Sequence, residues 1–310
     1  MEIYIKDLTT IIRDCTMENT YKMSWVRSLV ELSVIYPQKK DIHFNDLSPL
    51  IFKYYWNQTL FFNLNQGPNP LKKPEIHQIV LKEIDRYQSI FGYKPEFYTR
   101  IQDRINIDID KISKTLEKDV SHRFLKVGKK KYPIYELDRK NLCLKLHHPE
   151  LLKEYSDILF ELINYKWVQK LEKLNSSPRI SKKVNGTDRE NIKRGNLSRF
   201  KKYIDLENPK RKCFISNDVL NDNELSIDHV IPWSFLFSDD LWNLVYVKKS
   251  ENSIKSNRIP SEKMIIKLER RNKRLLKILS DNNVKKNHSE ELEFSINKDL
   301  VRNFWIGCKG

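Results

Sequence analysis

Leu225-Ser226-Ile227-Asp228-His229-Val230-Ile231-Pro232-Trp233-Ser234 is followed by Leu241-Trp242-Asn243-Leu244-Val245-Tyr246-Val247 and then by Ser250-Glu251-Asn252-Ser253-Ile254-Lys255. Ser226 and Ile227 read as the end of a strand, residues 230–240 as a loop, Leu244 to Val247 as a second strand, and Lys248 onward as a helix. A strand, loop, strand and helix in so short a span predict a hairpin packed on a helix. That packing would bring Asp228, His229, Asn243 and Asn252 to one small site.

Those residue types suit phosphodiester hydrolysis. A hard divalent cation, Mg²⁺ or Mn²⁺, takes oxygen ligands and keeps several waters, so Asp228 and Asn252 make a suitable pair. Such an ion polarises a phosphate and stabilises the leaving oxyanion. Histidine titrates close enough to neutral pH for His229 to take a proton from the attacking water. Asn243, at the start of the second strand, would bond across the loop and keep His229 aimed. Lys255 lies one helical turn after Asn252, on the side where a phosphate would sit.

Asp-His-x-x-Pro, a later Asn, and then Asn-x-x-Lys resemble the HNH, or ββα-metal, nuclease motif. Residues 228–236 and 255–262 are similar to the HNH domain of RNA-guided CRISPR nucleases. The Trp242-Asn243-Leu244 element and the short chain look more like stand-alone restriction or phage-defence HNH endonucleases. The resemblance covers residues 211–262. It implies His229 as general base, Asp228 and Asn252 as metal ligands, Asn243 as the residue that orients the loop, and products with 5′-phosphate and 3′-hydroxyl ends. Asn at the third position favours a hard oxygen-site metal over zinc. Many HNH proteins brace this fold with a zinc held by two Cys-x-x-Cys pairs. Here Cys213 is followed by Ser216, and Lys248 and Glu251 stand where the second pair would be, so no structural zinc is expected and packing alone should brace the fold.

The flanks are basic. Residues 178–212 hold 12 basic and 4 acidic side chains, a net +8, and residues 263–286 hold 9 basic and 2 acidic, a net +7. The whole 310-residue chain carries +16, so the remainder is nearly neutral. Lys and Arg displace counterions from phosphates, which points to a polyanionic partner. That partner is expected to be DNA, with RNA left open because such a site meets a phosphate more than a base. Phosphate contacts are assigned to Lys201, Lys202, Arg211, Lys212, Lys255, Arg258, Arg270, Arg271 and Arg274. Met264, Ile265, Leu268, Leu275, Leu276 and Leu279 give the second arm an amphipathic helical pattern, with its basic face turned to the nucleic acid.

Upstream, residues 1–174 read as a helical recognition or regulatory domain, 175–200 as a basic linker and 201–310 as the HNH nuclease domain. The expected class is mainly α (α+β): a helical N-terminal domain and a ββα-metal domain with additional helices. Apolar residues recur at helical spacing from Trp25 to Leu32, from Ile76 to Ile90 and from Leu151 to Leu171, with Asn19-Thr20 as a helix start. Tyr132 to Tyr135 and Leu142 to Leu146 suggest a short hairpin. Tyr54-Tyr55-Trp56 reads as core, and His147-His148 before Pro149 as a helix start rather than a metal site.

Several classes are excluded. Glycine occurs 7 times, no two glycines are separated by a single residue, and the only Gly-Lys pair has Arg123 where a phosphate-binding loop needs its first glycine. Dinucleotide and P-loop nucleotide sites are thus ruled out. Four dispersed cysteines, Cys15, Cys143, Cys213 and Cys308, argue against a disulfide framework and suit a reducing cytoplasm. Neither a signal pattern nor a membrane partner is expected. Cutting both strands with one site per chain would need a homodimer. An effector with relaxed specificity, switched by a regulatory protein partner or a signal, is the alternative, and a non-catalytic DNA-binding protein is the third.

Overall fold

The computed structural model describes residues 2–69, 71–255, 258–282 and 286–309. The chain divides into two compact units, residues 1–175 with 180–191, and residues 176–179 with 192–310. Both are dominated by helices with small antiparallel sheets.

The first unit contains helices α1 (Glu2–Asp14), α2 (Tyr21–Ile35), α3 (Phe44–Phe62), α4 (Glu75–Phe91), α5 (Tyr98–Ile101), α6 (Ile109–Leu116), α7 (His122–Phe124), α8 (Pro149–Glu154), α9 (Ser156–Leu174) and α10 (Ile180–Asp188). Its strands are β1 (Asp41–His43), β2 (Lys126–Val127), β3 (Lys130–Lys131), β4 (Tyr135–Asp138) and β5 (Cys143–Leu146). α2 and α3 are apolar around most of their circumference and form the centre, with Trp25, Tyr55 and Trp56 fully buried. The backbone N–H of Tyr21 donates to Asn19 Oδ1, so Asn19 rather than Thr20 satisfies the start of α2. The region read as one helix from Leu151 to Leu171 is two, broken at Tyr155. The hairpin expected near residue 135 pairs β4 with β5, and β1 adds on the other side of β5. Residues 175–200, expected to be a linker, contain α10, which buries Ile180 and Val184 against α3 and α9. A Ser/Asn/Lys-rich composition concealed two apolar residues four apart, enough for one helical face.

The second unit contains α11 (Lys201–Glu207), β6 (Leu225–His229), α12 (Trp233–Leu236), β7 (Leu244–Lys248), α13 (Lys249–Lys255), α14 (Glu262–Asp281), α15 (Lys286–Asn297) and α16 (Leu300–Lys309). β6 and β7 pair antiparallel, with Asp228 opposite Val245 and His229 opposite Leu244. Leu244 to Val247 are all buried, whereas β6 is mostly half-exposed and buries only His229. The hairpin therefore lies with β7 in the core and β6 toward an open face. α13 packs on both strands, giving the order strand, strand, helix. α14 closes the core with Ile265, Leu268, Leu275 and Leu279. Trp242 stacks on Phe304 of α16, with ring centroids 6.0 Å apart.

Candidate active site

Side chains alternate along a strand, so Ser226 and Asp228 share one face of β6 and His229 takes the other. The first face looks at α13. An amide atom of Asn252 lies 3.1 Å and 3.3 Å from the two carboxylate oxygens of Asp228, and as nitrogen it donates to both. Turned over, Asn252 Nδ2 lies 3.4 Å from Ser226 Oγ and Oδ1 faces the carboxylate. The amide thus has a partner in either orientation. With Oδ1 toward Asp228, two hard oxygen donors converge, the donor type that Mg²⁺ or Mn²⁺ takes. Among the described residues no three His, Cys, Asp or Glu side chains gather to hold a metal.

His229 is buried, with 3% of its surface exposed, and its Nε2 lies 3.0 Å from Asp239 Oδ1. The hydrogen bond from His229 holds the Asp239 carboxyl below its usual range, against the opposing push of burial, and the charge on Arg199 adds to it. With a proton on Nε2 donated to Asp239, the neutral imidazole would carry its lone pair on Nδ1. Asp239 was not among the residues singled out in the sequence. Its only signal there is the Ser238-Asp239-Asp240 cluster, in a stretch from 213 to 247 that holds no Lys or Arg. Gly195 makes room for it: a Cβ at that position would stand 2.5 Å from Asp239 Oδ2. The loop at residues 194–195 therefore abuts the site, and Arg194 lies over the Trp233 ring at 5.1 Å.

Asn243 is fully buried and clamps the loop that follows His229. Its Oδ1 accepts from Ile231 N–H at 2.8 Å, its Nδ2 donates to Ile231 O at 2.9 Å, and its carbonyl accepts from Val230 N–H at 2.9 Å. Loss of the side chain would leave two buried backbone groups without partners. Asn243 acts through the backbone, as a positioning residue.

Behind it stands a residue whose role differs from expectation. Arg271 was assigned to phosphate, yet it is 3% exposed and lies within the unit. Its guanidinium donates to Leu241 O at 3.0 Å and Leu244 O at 2.7 Å, and Glu207 lies 3.7 Å away. Burial pushes its pKa down to about 10, so it stays charged at neutral pH. Asn272 Nδ2 donates to Trp242 O at 2.8 Å. Arg271 and Asn272 thus hold the backbone on either side of Asn243. The heptad-like run of basic residues on α14 concealed this, because an inward arginine and an outward one look alike in sequence.

The other assigned cations divide. Arg211 pairs with Asp205 at 2.9 Å and Asp222 at 2.7 Å, Lys201 with Asp222 at 3.1 Å, and Arg274 with Glu207 at 2.7 Å. Lys202 lies over the Tyr203 ring. Lys212, Arg258 and Arg270 are exposed. Lys255 ends α13, and its side chain lies outside the described residues, as does Asn257, the competing third ligand.

Packing is not the only brace at the position of the zinc pairs. Cys213 Sγ donates to Glu251 Oε2 at 2.7 Å, tying the turn before β6 to the residue preceding Asn252. Phe214 N–H donates to Tyr246 O at 2.7 Å and Lys267 Nζ to Phe214 O at 2.6 Å, so the same turn is fixed to β7 and α14.

No curated protein and no solved structure matches the chain significantly. Residues 214–261, which span the hairpin and α13, match the family model for HNH endonuclease, so the second unit carries an HNH nuclease domain.

Proposed function

We propose that the protein is a metal-dependent DNA endonuclease of restriction or anti-phage type. The observation that supports this reading is the pairing of Asp228 on β6 with Asn252 on α13, with His229 next to Asp228 in the strand and Asn243 clamping the loop that follows. Asp228 and Asn252 would hold a Mg²⁺ or Mn²⁺ ion, which would supply Lewis acidity toward the scissile phosphate. His229, with Nε2–H on Asp239, takes the proton of the attacking water at Nδ1. Asp239 orients the imidazole and stabilises the imidazolium that forms. The exposed arginines and Lys212 steer the backbone of the substrate.

The N-terminal unit is the part that decides where or when cutting occurs. Digestion of plasmid and phage DNA with Mg²⁺, followed by sequencing of the ends, tests the whole reading. Discrete fragments with 5′-phosphates are expected for a restriction enzyme and a smear for a relaxed effector. Cutting that persists in EDTA, or in His229→Ala, would sink the mechanism.

A further inference from the structure

The first unit carries a basic feature that the two basic arms do not include. β2 and β3 form a hairpin over Lys126-Val127-Gly128-Lys129-Lys130-Lys131, with Gly128 at φ +57° in a two-residue turn. Lys126 sits directly opposite Lys131, and Lys129 and Lys130 are exposed with them. Like charges directly across a two-stranded ribbon are destabilising, and so short a ribbon has little else to stabilise it. Among the described residues none of these four lysines makes an ion pair. Glu136, in the groove beside Lys126 and Lys131, instead lies 3.7 Å from His147 Nε2. The ribbon tip is open: a Cβ at Gly128 would meet nothing within 4 Å. What holds the ribbon is its root, where Tyr132 N–H donates to Leu125 O at 2.8 Å and both residues are buried.

We propose that this hairpin is a second DNA contact, in which its lysines bind the phosphates of duplex DNA independently of the HNH site. The inference rests on nucleic acid being the substrate. Duplex DNA is favoured over other polyanions by shape: a two-stranded ribbon fits a B-form major groove but not the deep, narrow groove of A-form RNA. Unpaired strands call for exposed aromatic rings on which bases stack. The ribbon's neighbouring ring, Tyr132, is only 7% exposed and lies under Lys130 Nζ at 4.5 Å. The contact would anchor the first unit on the substrate without reading bases, since lysines on phosphates position but do not specify.

The test is binding of a short fluorescent DNA duplex by the full chain in EDTA, across a salt series. Replacing Lys129, Lys130 and Lys131 together by Gln should weaken binding at least tenfold at moderate salt. It should also make the slope of log K against log salt shallower by about 3, at about 0.9 per phosphate. Replacing the same three by Arg should restore both, because charge and not the ammonium group is what matters. Affinity and slope unchanged in the Gln variant would overturn the proposal, as would an Arg variant no better than Gln, or losses confined to duplex RNA or single strands. Because no cutting occurs in EDTA, an unchanged slope leaves the nuclease reading standing on its own His229→Ala test. A chain that binds through the hairpin yet never cuts overturns that reading alone.

Discussion

The two basic arms and the short ribbon of the first unit are built from the same residue types and differ in what those residues face. In the arms, Lys201, Arg211 and Arg274 meet Asp222, Asp205 and Glu207, and Arg271 is buried against backbone carbonyls. Lys183, counted in the first arm, is fully buried on α10 with its ammonium 5.6 Å from the centroid of Phe62. In the ribbon, Lys126 faces Lys131, and Lys130 lies opposite Val127 with its ammonium over the Tyr132 ring. Net charge along a sequence therefore measures how much charge a segment holds, whereas counterion release depends on how much of it a phosphate can reach.

The largest expected effect tests whether the second unit is the chemical one. His229→Ala should lower the cleavage rate about 1,000-fold, within the range of a general base, while DNA binding in EDTA stays within twofold. Next is the buried arginine. Arg271→Leu should destabilise the second unit by about 3 kcal/mol in urea unfolding, because the buried carbonyls of Leu241 and Leu244 lose their donor and Glu207 keeps only Arg274. A phosphate-binding arginine would instead lower affinity and leave unfolding unchanged.

Smaller effects separate orientation from charge at the histidine. Asp239→Ala and Gly195→Ala should each lower the cleavage rate about 10- to 100-fold at unchanged KM, since small misplacements of a reacting group cost that much. Asp239→Asn, which still accepts from Nε2–H, should recover part of the Asp239→Ala loss. An Asn variant as slow as Ala would show that the negative charge, not orientation, is what His229 needs. Smallest of all, Lys201→Ala and Arg274→Ala should change DNA affinity less than twofold, because exposed pairs already occupy those cations. A tenfold loss at either would erase the contrast with the ribbon.

Much of the site was legible because its chemistry is local. Asp228, His229, Asn243 and Asn252 lie within 25 consecutive residues, and the strand, strand and helix order sets Asn252 beside Asp228 and Asn243 against the loop that follows His229. Asp239 was not legible. It lies on the irregular segment between α12 and β7, where no periodicity fixes direction, and its place depends on Gly195 approaching from outside the hairpin. The brace was half legible: Cys213 and Glu251 stand at the zinc-pair positions, but the spacing alone gave no hydrogen bond between them.

By itself the sequence determined the mainly helical class, the strand, strand and helix order, and the residue types that suit a hard cation and a general base, because period and hydrogen-bonding capacity are properties of short segments. The tertiary structure alone decided which charges are available. An arginine's fate depends on whether a carboxylate or a carbonyl from elsewhere in the unit reaches it, as Glu207 reaches Arg274 and Leu244 O reaches Arg271. Those partners are separated from them by 67 and 27 positions in the chain, beyond anything that local pattern encodes.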